Sequence, residues 1–225
     1  MTKSYDPFDN LSKQFKNSGI DLFTSESVKW WRTNINKMIG ERESYKSEKG
    51  WIDLHKSRYG SRSRKSPHSG KMYMFHYEPT TKKKLKYWDT LPLIFALEKT
   101  AGGFYGLNLH YIPRKKRSLV LQHMVSRLKN ATGGDVDEGF EGEKLRDIRS
   151  AYKTYDRVKN DSSLYKYIYP CIKRYKNKGI KSNLIEIPVI DWEIASYLPS
   201  DIFFERKSLQ SVHQDGIHKV RKKFK

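Results

Sequence analysis

Hydrophobic positions along this chain fall into two periods, and the densest region reads as a sheet. Residues 70–117 run GKMYMFHYEPTTKKKLKYWDTLPLIFALEKTAGGFYGLNLHYIPRKKR, with three apolar, aromatic-rich runs separated by turn residues. Residues 71–78 alternate, with Tyr73, Phe75 and Tyr77 on one face and Met72, Met74 and His76 on the other, the period-2 signature of a strand. Residues 91–99 are apolar almost throughout, as in a strand covered on both faces, with Pro92 at its start or on an edge. Residues 104–111 follow an Ala101-Gly102-Gly103 turn as a third strand. This tight spacing predicts an antiparallel meander or a small barrel.

Helical periodicity flanks this region. Val28, Trp31, Ile35 and Met38 share one face of a helix over residues 27–46, with Ser27 as N-cap. That helix is either a core element or a partner-binding one. Pro113 suits the first position of a helix carrying Leu121, Met124, Val125 and Leu128. Further helical stretches are predicted near 144–159 and 162–177, the second kinked or ended by Pro170. Residues 183–189 read as another strand. Asp191 caps a short helix with Trp192, Ala195 and Leu198, stopped by Pro199. DPFDN reads as a turn, so residues 1–24 are expected to be an extended arm docked by its aromatics. The close, KVRKKFK, reads as a basic arm. The expected fold class is α+β: a small antiparallel sheet or barrel-like meander packed with helices, with extended basic arms. Its parts are an arm (1–24), a helix plus basic flexible loop (25–70), a single α+β domain (71–207) and a basic tail (208–225).

Charge changes the picture more than any motif. Lys and Arg number 45 against 25 Asp and Glu, giving a net charge of +20 over 225 residues. Self-repulsion of this size disfavours a lone compact monomer and calls for a polyanion, with nucleic acid first. No apolar run approaches the roughly 20 residues of a membrane-spanning helix, and the N-terminus shows no secretory pattern. Hydrophobic residues make up only 36%, so a modest core is expected beside much surface. The single cysteine, Cys171, permits no internal disulfide and reads as a small buried residue on a helix face.

The cations cluster. Residues 54–71 hold Lys56, Arg58, Arg62, Arg64, Lys65 and Lys71 with no acid among them. This Ser/Gly-rich stretch either lies along a phosphate backbone or is a solvated linker. Lys82, Lys83 and Lys84 sit in the loop before the second strand. Arg114, Lys115, Lys116 and Arg117 occupy the first turn of a helix. Cations there oppose the helix dipole, which suggests use against phosphate. Lys173 and Arg174 head another acid-free patch, with Lys176, Lys178 and Lys181, and Lys222 and Lys223 lie in the tail. Arg58, Arg62, Arg64, Lys65, Lys82, Lys83, Lys84, Arg114, Lys115, Lys116, Arg117, Lys173, Arg174, Lys222 and Lys223 are the candidate DNA contacts. They are expected to grip phosphates rather than read bases. The aromatic strand 71–78 is either a base-stacking platform or a core face.

Catalytic chemistry is not written in the chain. There is no Walker loop, dinucleotide fingerprint, HExxH site or nucleophile elbow. His76 and His110 lie on candidate strands, where a hydrogen-bonded histidine is the default reading. No cofactor and no metal are implied. The best nuclease match is Asp201 with Glu205, Arg206 and Lys207, with Asp191 and Glu193 as further acids.

Three segments, GKMYMFHYEP, LKYWDTLPLIFALEK and GGFYGLNLHYIP, followed by YPCIKRY and LIEIPVIDWEIASYLPSDIF, resemble a family from large contractile-tailed bacteriophages. Its members are DNA end protectors and virion structural proteins. The likeness spans roughly residues 25–215. It departs at Lys86-Tyr87-Trp88, where the family carries Pro-Tyr-Tyr, and in the more basic run after Pro113. The resemblance implies a minor, non-enzymatic virion protein near the head–tail junction. Such a protein would bind the end of the packaged double-stranded DNA and shield it from exonucleases. It would reside in the virion, and in the host cytoplasm during assembly and after injection. The alternative role is a purely structural neck or tail component, for head completion, connector or baseplate, whose basic arms bind neighbouring virion proteins of the neck, portal or tail.

Overall fold

The computed structural model describes residues 7–21, 24–40, 62–114, 116–121, 165, 168–188, 191–198, 200–204 and 208–223. The predicted helix at 144–159 and candidates Arg58 and Lys115 lie outside them.

Helix α1 (Pro7–Asn17) and helix α2 (Ser25–Gly40) open the chain. The first corrects the expected extended arm. Pro7 takes the first helical position, where its missing N–H costs nothing. Leu11 and Phe15, one turn apart, are both buried. Phe15 stacks on Trp31 at 4.6 Å and meets Trp30 edge-on at 5.2 Å. The cap of α2 is Thr24, not Ser27. Thr24 Oγ1 accepts the Ser27 N–H, and Ser27 Oγ accepts the Thr24 N–H, a reciprocal box. Ser27 is thereby inside the helix, on the same buried face as Trp31 and Ile35.

Six antiparallel strands make one open sheet. They are β1 (Ser63–Arg64), β2 (Met72–Met74), β3 (Leu93–Thr100), β4 (Gly103–Asn108), β5 (Ile172–Lys176) and β6 (Leu184–Ile187), in spatial order β1-β6-β2-β3-β4-β5. The sheet does not close, so the barrel alternative is dropped. Strand β5 replaces part of the helix expected over 162–177. Pro170 and Cys171 form a 3-10 turn, and the chain then pairs with β4 from Leu107↔Ile172 to Gly103↔Lys176. Cys171 is buried, but in that turn rather than on an α-helix, and burial pushes its thiol up to about 12. Likewise the basic tail is a helix, α4 (Leu209–Lys223), held by buried Val212 and by Lys223 over the Tyr169 ring at 3.6 Å. Its closing cations complement the helix dipole.

Both sheet faces are apolar. Met72, Met74, Leu93, Phe95, Leu97, Leu107, Ile185 and Ile187 join the larger core with α1, α2 and the short helix α3 (Trp192–Tyr197). Tyr73, Phe75, Ile94, Ala96, Phe104, Tyr175 and Leu184 form a second cluster on the opposite face. Phe75, Tyr77, Phe104 and Tyr175 pack ring against ring at 4.8–6.2 Å. The aromatic strand is therefore core, not a base-stacking platform.

Two glycines of the β3–β4 hairpin do different jobs. Gly102 turns the chain at φ +72° with open space around it. A Cβ on Gly103 would stand 2.0 Å from the Tyr175 carbonyl oxygen on β5. Gly103→Ala is expected to lose roughly 1–3 kcal/mol by forcing β5 away, whereas Gly102→Ala should lose about 1 kcal/mol, from the left-handed backbone alone. Urea denaturation of the two variants reads the difference. Equal losses would mean that β5 does not depend on close approach.

Candidate nucleic-acid interface

The charged groups divide into a buried set and a surface set. The buried set lies where the chain leaves β4. Arg117, on the helical residues 116–121, is fully buried. Its guanidinium donates to the carbonyls of Ile112 (2.9 Å), Ser196 (3.2 Å) and His110 (3.4 Å), and to Asp201 Oδ2 (3.0 Å). Arg114 donates to the other oxygen, Asp201 Oδ1, at 2.7 Å. Burial opposes ionisation of Asp201, but Arg117, His110 and Arg114 together outweigh it and hold the carboxyl far below its usual range. This corrects the reading of the 114–117 run. Arg117 is a structural cation with no surface to offer a phosphate. Two of the charges that oppose the helix dipole, Arg114 and Arg117, are answered by Asp201. Lys116 alone of the described residues in that run is exposed without such a partner.

Beside this pair, His110 Nδ1 lies 2.8 Å from Asp89 Oδ2 and Nε2 lies 3.2 Å from Ser200 Oγ. The atom order is that of an acyl-transfer triad. Yet His110, Asp89 and Ser200 are all buried, so no substrate reaches Ser200 Oγ in this arrangement. Asn108 donates to Asp89 Oδ2 and to Tyr175 Oη, each at 2.9 Å, extending the network to β5. The nuclease carboxylates are engaged too. Asp201 serves the two arginines, and buried Glu193 accepts from Ser27 Oγ at 2.8 Å. Glu205 lies outside the described residues, among which no cluster of His, Cys, Asp or Glu could hold a metal ion.

The surface set occupies three places. At one sheet edge Arg62, Arg64 and Lys65 are exposed, with Arg64 3.5 Å from Glu186, which also binds Lys71. At the other edge Arg174 is exposed and donates to Ala101 O at 3.0 Å, joined by Lys176 and Lys178. Lys173 is different. It is half-buried 4.0 Å above the Tyr111 ring, and burial pulls its ammonium down to about 8. It is packed into the fold rather than presented.

The third place is a 3-10 turn, Lys82–Lys84, in which no residue is buried. Lys82 pairs with Glu78, and Lys181, from the β5–β6 connection, reaches the same carboxylate at 3.6 Å. Lys83 and Lys84 have no acidic partner among the described residues. Lys222 is exposed on the last turn of α4 with Arg221, and exposed Lys219 lies just before it, while Lys223 lies over Tyr169 and Tyr165. Lys181, Lys219 and Arg221 were not among the sequence candidates. A strand turn brings Lys181 to the lysine run, and a helix end gathers the others; neither juxtaposition is legible without the fold.

The buried pair sets a stability test. Asp201→Asn leaves Arg117 buried without a counter-charge and is expected to cost about 3–5 kcal/mol in urea denaturation. Arg117→Met together with Asp201→Asn should cost less than the sum of the two single changes. The folded Asp201 carboxyl titrates below its ordinary 3.8. Its contribution is therefore complete above that pH and is lost as pH falls toward the depressed value. Full additivity of the two changes would show that the charges are not coupled.

No curated protein and no solved structure matches the chain. A family model does match, described as Phage T4 terminal DNA protecting protein, over residues 11–215. The matched span takes in both sheet edges, the lysine turn and the whole buried network, and the chain belongs to the Phage T4 terminal DNA protecting protein family.

Proposed function

We propose that this protein binds the end of packaged double-stranded DNA in a phage particle and shields it from exonucleases without chemistry of its own. The observation that carries the reading is the split of charge. Arg117 and Asp201 neutralise each other inside, while Lys83, Lys84, Lys116, Lys219, Arg221 and Lys222 stand on the surface. Family membership supports the same reading.

The mechanism is electrostatic and steric. Surface cations displace counterions from the phosphates, which gives affinity without sequence preference. A folded body seated on the last base pairs then denies a nuclease the terminus. The cations at the sheet edges, at the lysine turn and at the end of α4 supply contacts for the backbone. A position near the head–tail junction, with virion proteins as neighbours, follows from this role.

The test is binding of blunt linear duplex across a salt series, beside a covalently closed circle of the same sequence. Linear DNA should bind more tightly, with log affinity falling linearly in log salt. Lys219→Ala with Lys222→Ala should reduce the slope by roughly 1.8, at about 0.9 per phosphate contact. Bound linear DNA should resist a double-strand exonuclease. Failure to bind linear duplex at low salt would sink the proposal and favour a structural role in which the cations face neighbouring virion proteins.

A further inference from the structure

The lysine turn is more than a charged patch. The loop from Glu78 to Lys84, together with Lys181, walls a groove of about 540 Å³. That volume is in the range of small-ligand sites, roughly 300–1,000 Å³, and suits one nucleotide better than a length of duplex, whose backbone is convex. Four lysines and one glutamate are among its lining residues, a formal surplus of three positive charges. Pro79, Thr80 and Thr81 provide an apolar and hydroxyl wall.

Backbone hydrogen bonds hold together the two loops that frame the groove. Glu78 N–H donates to Gly179 O at 2.8 Å, and Lys181 N–H donates to His76 O at 2.9 Å. Tyr77 and Ile180 form a bridge between these pairs, and His76 N–H donates to Ser182 Oγ at 2.9 Å. Gly179 permits the approach, because a Cβ there would stand 2.7 Å from the Tyr77 ring and 2.8 Å from Glu78 O. Two loops about a hundred residues apart in the chain are thus held together, and they present Lys181 opposite Lys82.

The Glu78 carboxylate lies between these two lysines, bound to Lys82 through Oε1 and 3.6 Å from Lys181 through Oε2. It is a tethered anion in an otherwise cationic groove, which is where a phosphoryl group with its own oxygens would accept the same hydrogen bonds. We infer that this groove receives the terminal nucleotide of a DNA strand by its phosphomonoester, with Lys82, Lys83, Lys84 and Lys181 as ligands and Glu78 as the internal competitor that the phosphate displaces. The inference rests on the end-binding function proposed above and assigns the feature by which an end differs from the rest of the duplex. A terminal monoester carries more negative charge than an internal diester and projects beyond the last base pair, so a concave site selects it.

Blunt duplexes of one sequence bearing 5′-phosphate, 3′-phosphate or hydroxyl ends discriminate the outcomes, measured with the full chain. A phosphate on one of the two strand ends should tighten binding at least about tenfold over hydroxyl ends. Lys83→Ala with Lys181→Ala should weaken the phosphate-ended duplex more than the hydroxyl-ended one, so that the difference between the two disappears on top of a common loss of affinity. Glu78→Gln removes the competitor and should tighten binding of the phosphate-bearing end further, a gain that misfolding does not produce. Equal affinity of the unaltered protein for phosphate and hydroxyl ends overturns the groove assignment and leaves end binding standing. No binding to any linear duplex overturns both.

Discussion

A guanidinium with no exposed surface dictates the centre of this fold. Burying the Arg117 charge is costly unless every donor finds an acceptor, and its acceptors come from separate pieces of chain. Ile112 and His110 lie just after β4, Ser196 lies in α3, and Asp201 lies in the segment beyond. Satisfying one side chain therefore fixes the position of three elements at once. The Asp89–His110–Ser200 chain and the Asn108 amide continue the same constraint across to Tyr175 on β5. Networks of this kind are strong when complete and expensive when broken, which makes the region a single cooperative joint.

That joint lets the molecule carry two kinds of cation. Those inside, Arg117 and the part-buried Arg114, are answered by Asp201. Those outside are left on the sheet edges, on the lysine turn and on the end of α4, where water and salt screen them. Sequence distance says nothing about which kind a residue is. Lys116 and Arg117 are neighbours, and one is exposed while the other is buried.

Much of the sheet was readable, and for a physical reason. The alternation of Tyr73, Phe75 and Tyr77 with Met72 and Met74 is the pleat itself, and all but the part-buried Tyr77 are buried. The Ala101-Gly102 turn and the strands on either side follow from local chemistry. What escaped were elements whose signals are tertiary. Strand β5 spells IKRYK, in which three of five residues are Lys or Arg, and is recruited by pairing with β4. Helix α1 looked like a turn because Pro7 follows an aspartate, and only the seating of Phe15 on Trp31 identifies its buried side. Of the site, the lysine run was visible. Its partner Lys181, and the capture of Arg117, required the fold, since charge patterning cannot separate a solvated cation from one that a distant aspartate will claim.

The two outermost strands of the sheet have one more consequence. β1 and β5 present backbone groups at the sheet's margins, and an uncovered margin invites another copy to add its own strand. Arg62, Arg64 and Lys65 border one margin, and Arg174, Lys176 and Lys178 the other. A second copy approaching either margin would bring like charge against like. The cations that make the sheet's margins positive thus also oppose edge-to-edge pairing of two copies.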